Sequence, residues 1–292
     1  MQTPFDPDHP EMRRRRFRTI PVRMLVPNVI TLLAICAGLT AIRLSTEGRM
    51  DIAVYAIVFA AILDGIDGRV ARMIKGQSKF GAELDSLADF VNFGVAPGLI
   101  LYFWQLHELN NGGWIAAMVF AISGGLRLAR FNATMDDPNK PAFAANYFTG
   151  VPAPLGAITV LLPIYLGFLG LPTPPAMLTA VYTLLIAFLM VSRLPVFSGK
   201  TVRMRVPPEM VLPIFVSVIF FIALLIGYPW YILSAGSVLY LLSLPAGWKS
   251  YRDQERKAGP SAAMTPADVA PASPFAPAVS EVDEDDRPPR LN

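Results

Sequence analysis

An all-α integral membrane protein with about eight transmembrane helices is the fold class this sequence predicts, and three observations predict it. Hydrophobic residues make up 53% of the 292-residue chain and charged residues only 16%, against about 25% charged in an ordinary soluble domain; the mean hydropathy is +0.46. The apolar residues are gathered into blocks close to the roughly 20 residues that cross a ~30 Å hydrocarbon core. Lysine and arginine collect in every second connection between those blocks, the pattern that marks the cytoplasmic side.

In chain order the blocks are residues 26–44, 52–73, 87–104, 114–131, 151–169, 176–191, 211–228 and 231–248. The second carries Asp64, Asp67, Arg69 and Arg72 in its C-terminal half, so its last turns must be covered by protein or line a wet cavity. Before the first block stand Arg13, Arg14, Arg15, Arg16, Arg18 and Arg23. Arg72, Lys75 and Lys79 follow the second, Arg127, Arg130 and Lys140 the fourth, and Arg193, Lys200, Arg203 and Arg205 the sixth. Lys249, Arg252, Arg256 and Lys257 follow the last, whereas the opposite side offers only Arg43 and Arg49. The expectation is a multi-pass cell (inner or cytoplasmic) membrane protein with both termini in the cytoplasm. Trp104, Trp114, Trp230 and Trp248 fall at block ends, as an interfacial aromatic belt requires.

Composition also excludes several chemistries. The single cysteine, Cys36, can form no intrachain disulfide and no Cys-rich zinc site. Two histidines, His9 and His107, leave no basis for a multi-His metal site. The arginine cluster beside the first span reads as an orientation and anionic-lipid signal, with no nucleic-acid partner expected. That first apolar stretch is long for a signal peptide and is expected to be retained. Residues 1–25 are thus a basic cytoplasmic segment and 249–292 a disordered cytoplasmic tail. The tail's composition turns Ala/Pro/Ser-rich over 261–279 and acidic over 281–286.

The chemistry concentrates where the second block meets the third. Asp64 and Asp67, three apart, end one membrane helix; Asp85 and Asp89, four apart, begin the next. Such spacings share a helix face, and the short link between Gly76 and Gly81 lets the two pairs face each other. Four carboxylates gathered at membrane depth repel and lose hydration unless protons or divalent cations compensate. An all-oxygen set suits Mg²⁺, Mn²⁺ or Ca²⁺. Gly65, Gly68, Ala71 and Gly81 clear space for a bulky ligand or a neighbouring helix, and Arg72 can offer a cation to a phosphate.

The pattern Asp64-x2-Asp67-Gly68-x2-Ala71-Arg72-x8-Gly81-x3-Asp85-x3-Asp89 resembles in full the signature of the CDP-alcohol phosphotransferases, membrane enzymes of phospholipid synthesis. The resemblance implies a six-helix catalytic core, here 26–195, with 196–248 as two additional transmembrane helices, commonly in a homodimer. It implies two divalent cations, Mg²⁺ or Mn²⁺, held by Asp64, Asp67, Asp85 and Asp89 against the pyrophosphate of a CDP-linked lipid. Asp89 matches the family's general base. Gly68, Arg72 and Ser78, with Gly81 of the same motif, match CDP-contacting positions, and Asn28 and Thr31 look like the family's nucleotide-facing turn.

Three further segments resemble one branch of that family, the integral membrane CDP-diacylglycerol–serine O-phosphatidyltransferases. They are Ala88-Asp-Phe-Val-Asn-Phe-Gly-Val-Ala-Pro97, Gly124-Gly-Leu-Arg-Leu-Ala-Arg-Phe-Asn132 and Phe148-Thr-Gly-Val-Pro-Ala-Pro154. The branch implies CDP-diacylglycerol and L-serine as substrates within a lipid bilayer, and phosphatidylserine and CMP as products. Arg127 and Arg130, three apart on one helix face, could hold the carboxylate of serine, with Asn132 as a polar contact; both arginines could equally reach to the interface or to lipid phosphate. Glycerol phosphate, inositol phosphate or choline as acceptor would use the same chemistry. A cation-coupled transporter is a more distant reading, for it would place acidic groups at the midplane and repeat them in a second half, and no internal repeat is visible.

Overall fold

A computed structural model describes residues 22–76, 78–133, 147–192, 194–197 and 208–258. The arginine cluster at 13–18, Lys140, Lys200, Arg203, Arg205 and the tail from Gly259 lie outside the described residues.

The first helix, α1 (Val22–Thr46), is antiparallel to α2 (Met50–Met73) and packs along it. The third span is a single helical rod in three parts: α3 (Lys79–Asp89), a π-turn (Phe90–Val95) and α4 (Ala96–Trp104). Pro97 lacks an N–H and its ring would clash with a carbonyl four residues back. The widened turn absorbs it, and the Ala96 amide donates to Val91 O instead of continuing the α pattern. Next, α5 (Asn111–Ala133) packs on the π-turn and on α8 (Ala176–Val191). Between them stand α6 (Ala153–Val160) and α7 (Leu162–Phe168); α9 (Pro208–Gly227) and α10 (Pro229–Ala258) close the chain.

Small residues set the spacing of this bundle. A Cβ on Gly98 would lie 2.9 Å from the Ala117 carbonyl oxygen, and one on Gly124 would lie 3.0 Å from Gly94 Cα. The backbone of α5 therefore rests directly on α4 and the π-turn, a close approach that glycine alone permits. Around this seam Ile57, Phe93, Ile100, Phe120 and Tyr165 are fully buried. The last helix docks through Trp230, whose ring centroid is 4.4 Å from that of Phe168 and 5.2 Å from that of Tyr55.

Five helices among the described residues are long and apolar enough to cross a membrane: Leu25–Thr46, Lys79–Trp104, Asn111–Ala133, Met210–Gly227 and Pro229–Ser250. Two shorter apolar helices, Ala153–Phe168 and Ala176–Val191, accompany them among the described residues. The charges Asp51, Asp64, Asp67, Arg69 and Arg72 dilute the hydropathy of α2, although it is 24 residues long. The fifth block is broken at Leu161, where Pro163 near the start of α7 offers no N–H to extend α6, and α8 has only 16 residues. The architecture is that of an all-α integral membrane protein, with one short strand pair added. Strands β1 (Tyr147–Thr149) and β2 (Pro195–Phe197) pair antiparallel, with Phe148 opposite Val196. Residues 249–258 continue α10 and do not belong to a disordered tail; their strong helix formers and the Arg252 guanidinium 4.2 Å over the Trp248 ring extend it. Trp230, half-buried at the start of α10, packs on Tyr55 and Phe168.

Gly98→Ala is expected to destabilise the protein by about 1–3 kcal/mol, because the added methyl meets backbone that cannot rotate away. Thermal unfolding of the purified variant in detergent checks this.

Candidate active site

The turn between α2 and α3 is built to stop one helix sharply and start another. Lys75 adopts a left-handed φ of 51°, and the Gly76 amide donates to Ala71 O at 2.9 Å while that of Lys75 donates to Arg72 O at 3.4 Å. This pair of reversed bonds closes the helix end. Ser78 then caps α3, its hydroxyl accepting from the Gly81 amide at 3.0 Å. The chain doubles back at once, which brings the two Asp pairs to one level.

Carboxylate oxygens of Asp64, Asp67 and Asp85 all lie within 4.8 Å of one another. Asp89 is in hydrogen-bonding reach of Asp64, an approach that two bare carboxylates hold only with a proton or cation between them. Helix α1 orients one member of the cluster: the Thr31 hydroxyl donates to Asp67 Oδ2 at 2.6 Å and lies 3.1 Å from Pro27 O. Asp67 is 3% exposed.

Beside this cluster opens a cleft of about 320 Å³ lined by Asn28, Thr31, Asp67, Gly68, Arg72, Ser78, Gly81 and Asp85, among others. All six residues expected to contact the CDP-lipid thus share one cavity. Asn28 and Thr31 do so from within helix α1, not from a turn. Gly81 is needed here: a Cβ would lie 2.8 Å from Asn28 Oδ1 and 3.1 Å from Ser78 Oγ. Gly68 faces open space apart from Arg72 Nη1 at 4.0 Å, and Gly65 has no neighbour of this chain within 4 Å. Among the described residues no carboxylate forms an ion pair with Arg72.

The expected acceptor residues separate. Arg127, 9% exposed, sits beside Asp89 as an electrostatic neighbour. Gly124 and Gly125 put it there, by letting α5 lie against Gly94 and the Phe90 ring. Arg130 instead donates from Nη1 to Val191 O at 2.6 Å, satisfying a carbonyl at the end of α8. Asn132 Nδ2 donates to Ser86 Oγ at 2.9 Å, tying α5 to α3. Sequence reasoning gave no role to Asn92, 1% exposed in the π-turn with neither amide atom hydrogen-bonded. Gly38 makes room for it on α1. Its position seven residues after Asp85, on the face shared with Asp89, was the available signal.

The family model described as CDP-alcohol phosphatidyltransferase matches residues 24–192, and one described as CDP-alcohol phosphatidyltransferase 2 matches residues 209–245. The chain belongs to the CDP-alcohol phosphatidyltransferase family. A CDP-diacylglycerol–serine O-phosphatidyltransferase of Mycobacterium leprae is 38% identical over 235 residues, covering 80% of this chain and 77% of that one. The protein of the same name from Helicobacter pylori is 35% identical over 220 residues, 75% of this chain and 88% of the relative. A third, from Mycobacterium tuberculosis, is 50% identical over 137 residues, about half of each chain at 47% and 48%.

As a CDP-alcohol phosphatidyltransferase, the chain presents a donor set that fits a hard divalent cation: oxygen ligands only, convergent from two helices, with Asp89 Oδ1 buried and free of any hydrogen bond. Thr31→Val, nearly equal in volume, removes the donor that orients Asp67. It is expected to weaken divalent-cation binding about tenfold, read as the Mg²⁺ concentration that half-saturates the thermal stabilisation of the protein.

Proposed function

We propose that this protein transfers the phosphatidyl group of CDP-diacylglycerol to the hydroxyl of L-serine, giving phosphatidylserine and CMP. The convergence of Asp64, Asp67 and Asp85 beside a cleft that Asp67 and Asp85 line together with Arg72 is the observation that carries this reading. The names of the similar proteins support serine as the acceptor. The basic residues on alternate connections support a site on the cytoplasmic face, and the family resemblance supports a homodimer.

Asp64, Asp67, Asp85 and Asp89 would hold two divalent cations, Mg²⁺ or Mn²⁺. When bound, such cations offset the charge of a diphosphate and of the departing CMP. The cleft binds the CDP end of the lipid: Asn28 and Ser78 offer polar groups, Gly68 and Gly81 leave room, and Arg72 pairs with a phosphate oxygen. Arg127 holds the serine carboxylate on the other side of Asp89. Asp89 accepts the serine hydroxyl proton as that oxygen bonds to the lipid-side phosphorus. The bond from this phosphorus to the bridging oxygen breaks, and CMP leaves with the electron pair. Arg130 and Asn132 fix α5 against α8 and α3, so that Arg127 stays in register.

Asp89→Asn retains the shape of the side chain and removes the base. Its turnover is expected to fall by about 10²–10⁴-fold while membrane insertion and thermal unfolding are kept; wild-type-like CMP release would remove Asp89 from the base role. In a screen of CMP release by the purified protein from CDP-diacylglycerol, serine is the expected acceptor over glycerol phosphate, inositol phosphate and choline. Chelation of divalent ions is expected to abolish the signal and Mg²⁺ or Mn²⁺ to restore it.

A further inference from the structure

Helix α10 lies outside the six-helix core yet turns a polar face into it. Ser234, Ser237 and Tyr240 recur every third residue, the two serines are 7% and 2% exposed, and none of the three hydroxyls has a hydrogen-bond partner. A lipid-facing helix has no reason to bury hydroxyls, and each left unpaired is costly. Trp230 anchors the start of this helix between Tyr55 and Phe168. Ten residues on, about 15 Å along the axis, Tyr240 is an electrostatic neighbour of Arg127.

The chemistry of that meeting is one-sided. A guanidinium only donates, and a phenol most readily does. Arg127 Nε and the Tyr240 hydroxyl are both buried, and neither is hydrogen-bonded to the other or to any group. With Asp89 already beside Arg127, the Arg127 Nε and the Tyr240 hydroxyl remain two buried donors without an acceptor, and such donors call for an anion. Asp89 Oδ1, the nearby buried acceptor without a partner, calls for a group that donates. An amino alcohol bearing a carboxylate meets both demands at once.

We propose that Tyr240 of α10 completes the acceptor pocket, its hydroxyl donating to the carboxylate that Arg127 also holds, and so selects serine over amino alcohols lacking that carboxylate. This rests on the serine reading above. The last two helices thereby gain a part in the reaction, since α10 supplies a substrate contact that the core helices lack.

The test uses the full chain in detergent or nanodiscs, with serine and 2-aminoethanol as alternative acceptors in the CMP-release assay. Tyr240→Phe is expected to raise KM for serine about ten- to a hundredfold, the equivalent of one hydrogen bond to a charged group. KM for CDP-diacylglycerol stays unchanged, and the preference for serine over 2-aminoethanol shrinks by the same factor. A folded Tyr240→Phe protein with an unaltered serine KM overturns the role of Tyr240 alone. A wild-type protein that releases no CMP with serine overturns the serine reading and this inference with it. Should the variant not fold, nitration of Tyr240 in the wild type by tetranitromethane gives the readout: protection by serine and not by 2-aminoethanol supports the proposal, and equal nitration in all cases overturns it.

Discussion

Like charges held close together where little water reaches them are the constraint around which this bundle is arranged. Carboxylate oxygens of Asp64, Asp67 and Asp85 lie within 4.8 Å of one another. At an effective dielectric of about 20, each such pair of full charges repels by at least about 3 kcal/mol. Three pairs together would rival the whole stability of an ordinary domain, about 5–15 kcal/mol. The hairpin of α2 and α3 therefore cannot be held by those side chains; it is held against them. The reversed bonds at Gly76, the Ser78 cap and the Thr31 hydroxyl on Asp67 impose the geometry from the backbone and from α1. Positive charge brought by a cation would relieve the repulsion the fold has imposed, and that relief would drive binding.

The same logic of imposed proximity governs the other side of Asp89. Arg127 reaches it because Gly94, Gly124 and Gly125 let two helices touch through their backbones. Pro97 demands a widened turn at Phe90–Val95, and that turn carries Asn92 inward against Gly38 of α1. Glycine and proline here do opposite things, one removing bulk and the other breaking the regular pitch. Both serve to place polar groups where a straight helix of larger residues could not.

How much of this was legible in the sequence differs by kind. The four aspartates, their pairing on two faces and the turn between them could be read from spacing alone, because i,i+3 and i,i+4 offsets translate directly into a shared face. The cleft residues Asn28, Gly68, Arg72, Ser78 and Gly81 were found through resemblance to a family, and the structure brings them into one cavity. The partners of Thr31, Arg130 and Asn132 could not be read, since each hydrogen bond spans helices 36, 61 and 46 positions apart in the chain. Nor could the break at Leu161 or the pairing of β1 with β2: hydropathy averages over a window and does not see a single proline or a three-residue strand. Tyr240 carried no signal at all, being one aromatic in an apolar helix, and it gains meaning only from the arginine it neighbours.

The division of the aspartates between two surroundings bears on how the two substrates would meet. Asp67 and Asp85 line the cleft shared with Arg72, Asn28 and Ser78, while Asp64 and Asp89 meet each other and Asp89 neighbours Arg127. An in-line displacement needs the attacking and leaving oxygens on opposite sides of one phosphorus. In the proposed reaction the leaving CMP would lie on the cleft side and the incoming hydroxyl on the Arg127 side, with the cluster between them. Each helix contributes one carboxylate to each side: α2 gives Asp67 and Asp64, and α3 gives Asp85 and Asp89. An offset of three or four residues turns by nearly one helical revolution and rises by about 5 Å. That rise separates donor from acceptor while leaving every carboxylate within reach of the bond to be exchanged. The spacing in the motif would thus supply the separation that the proposed displacement needs, written along two helix axes.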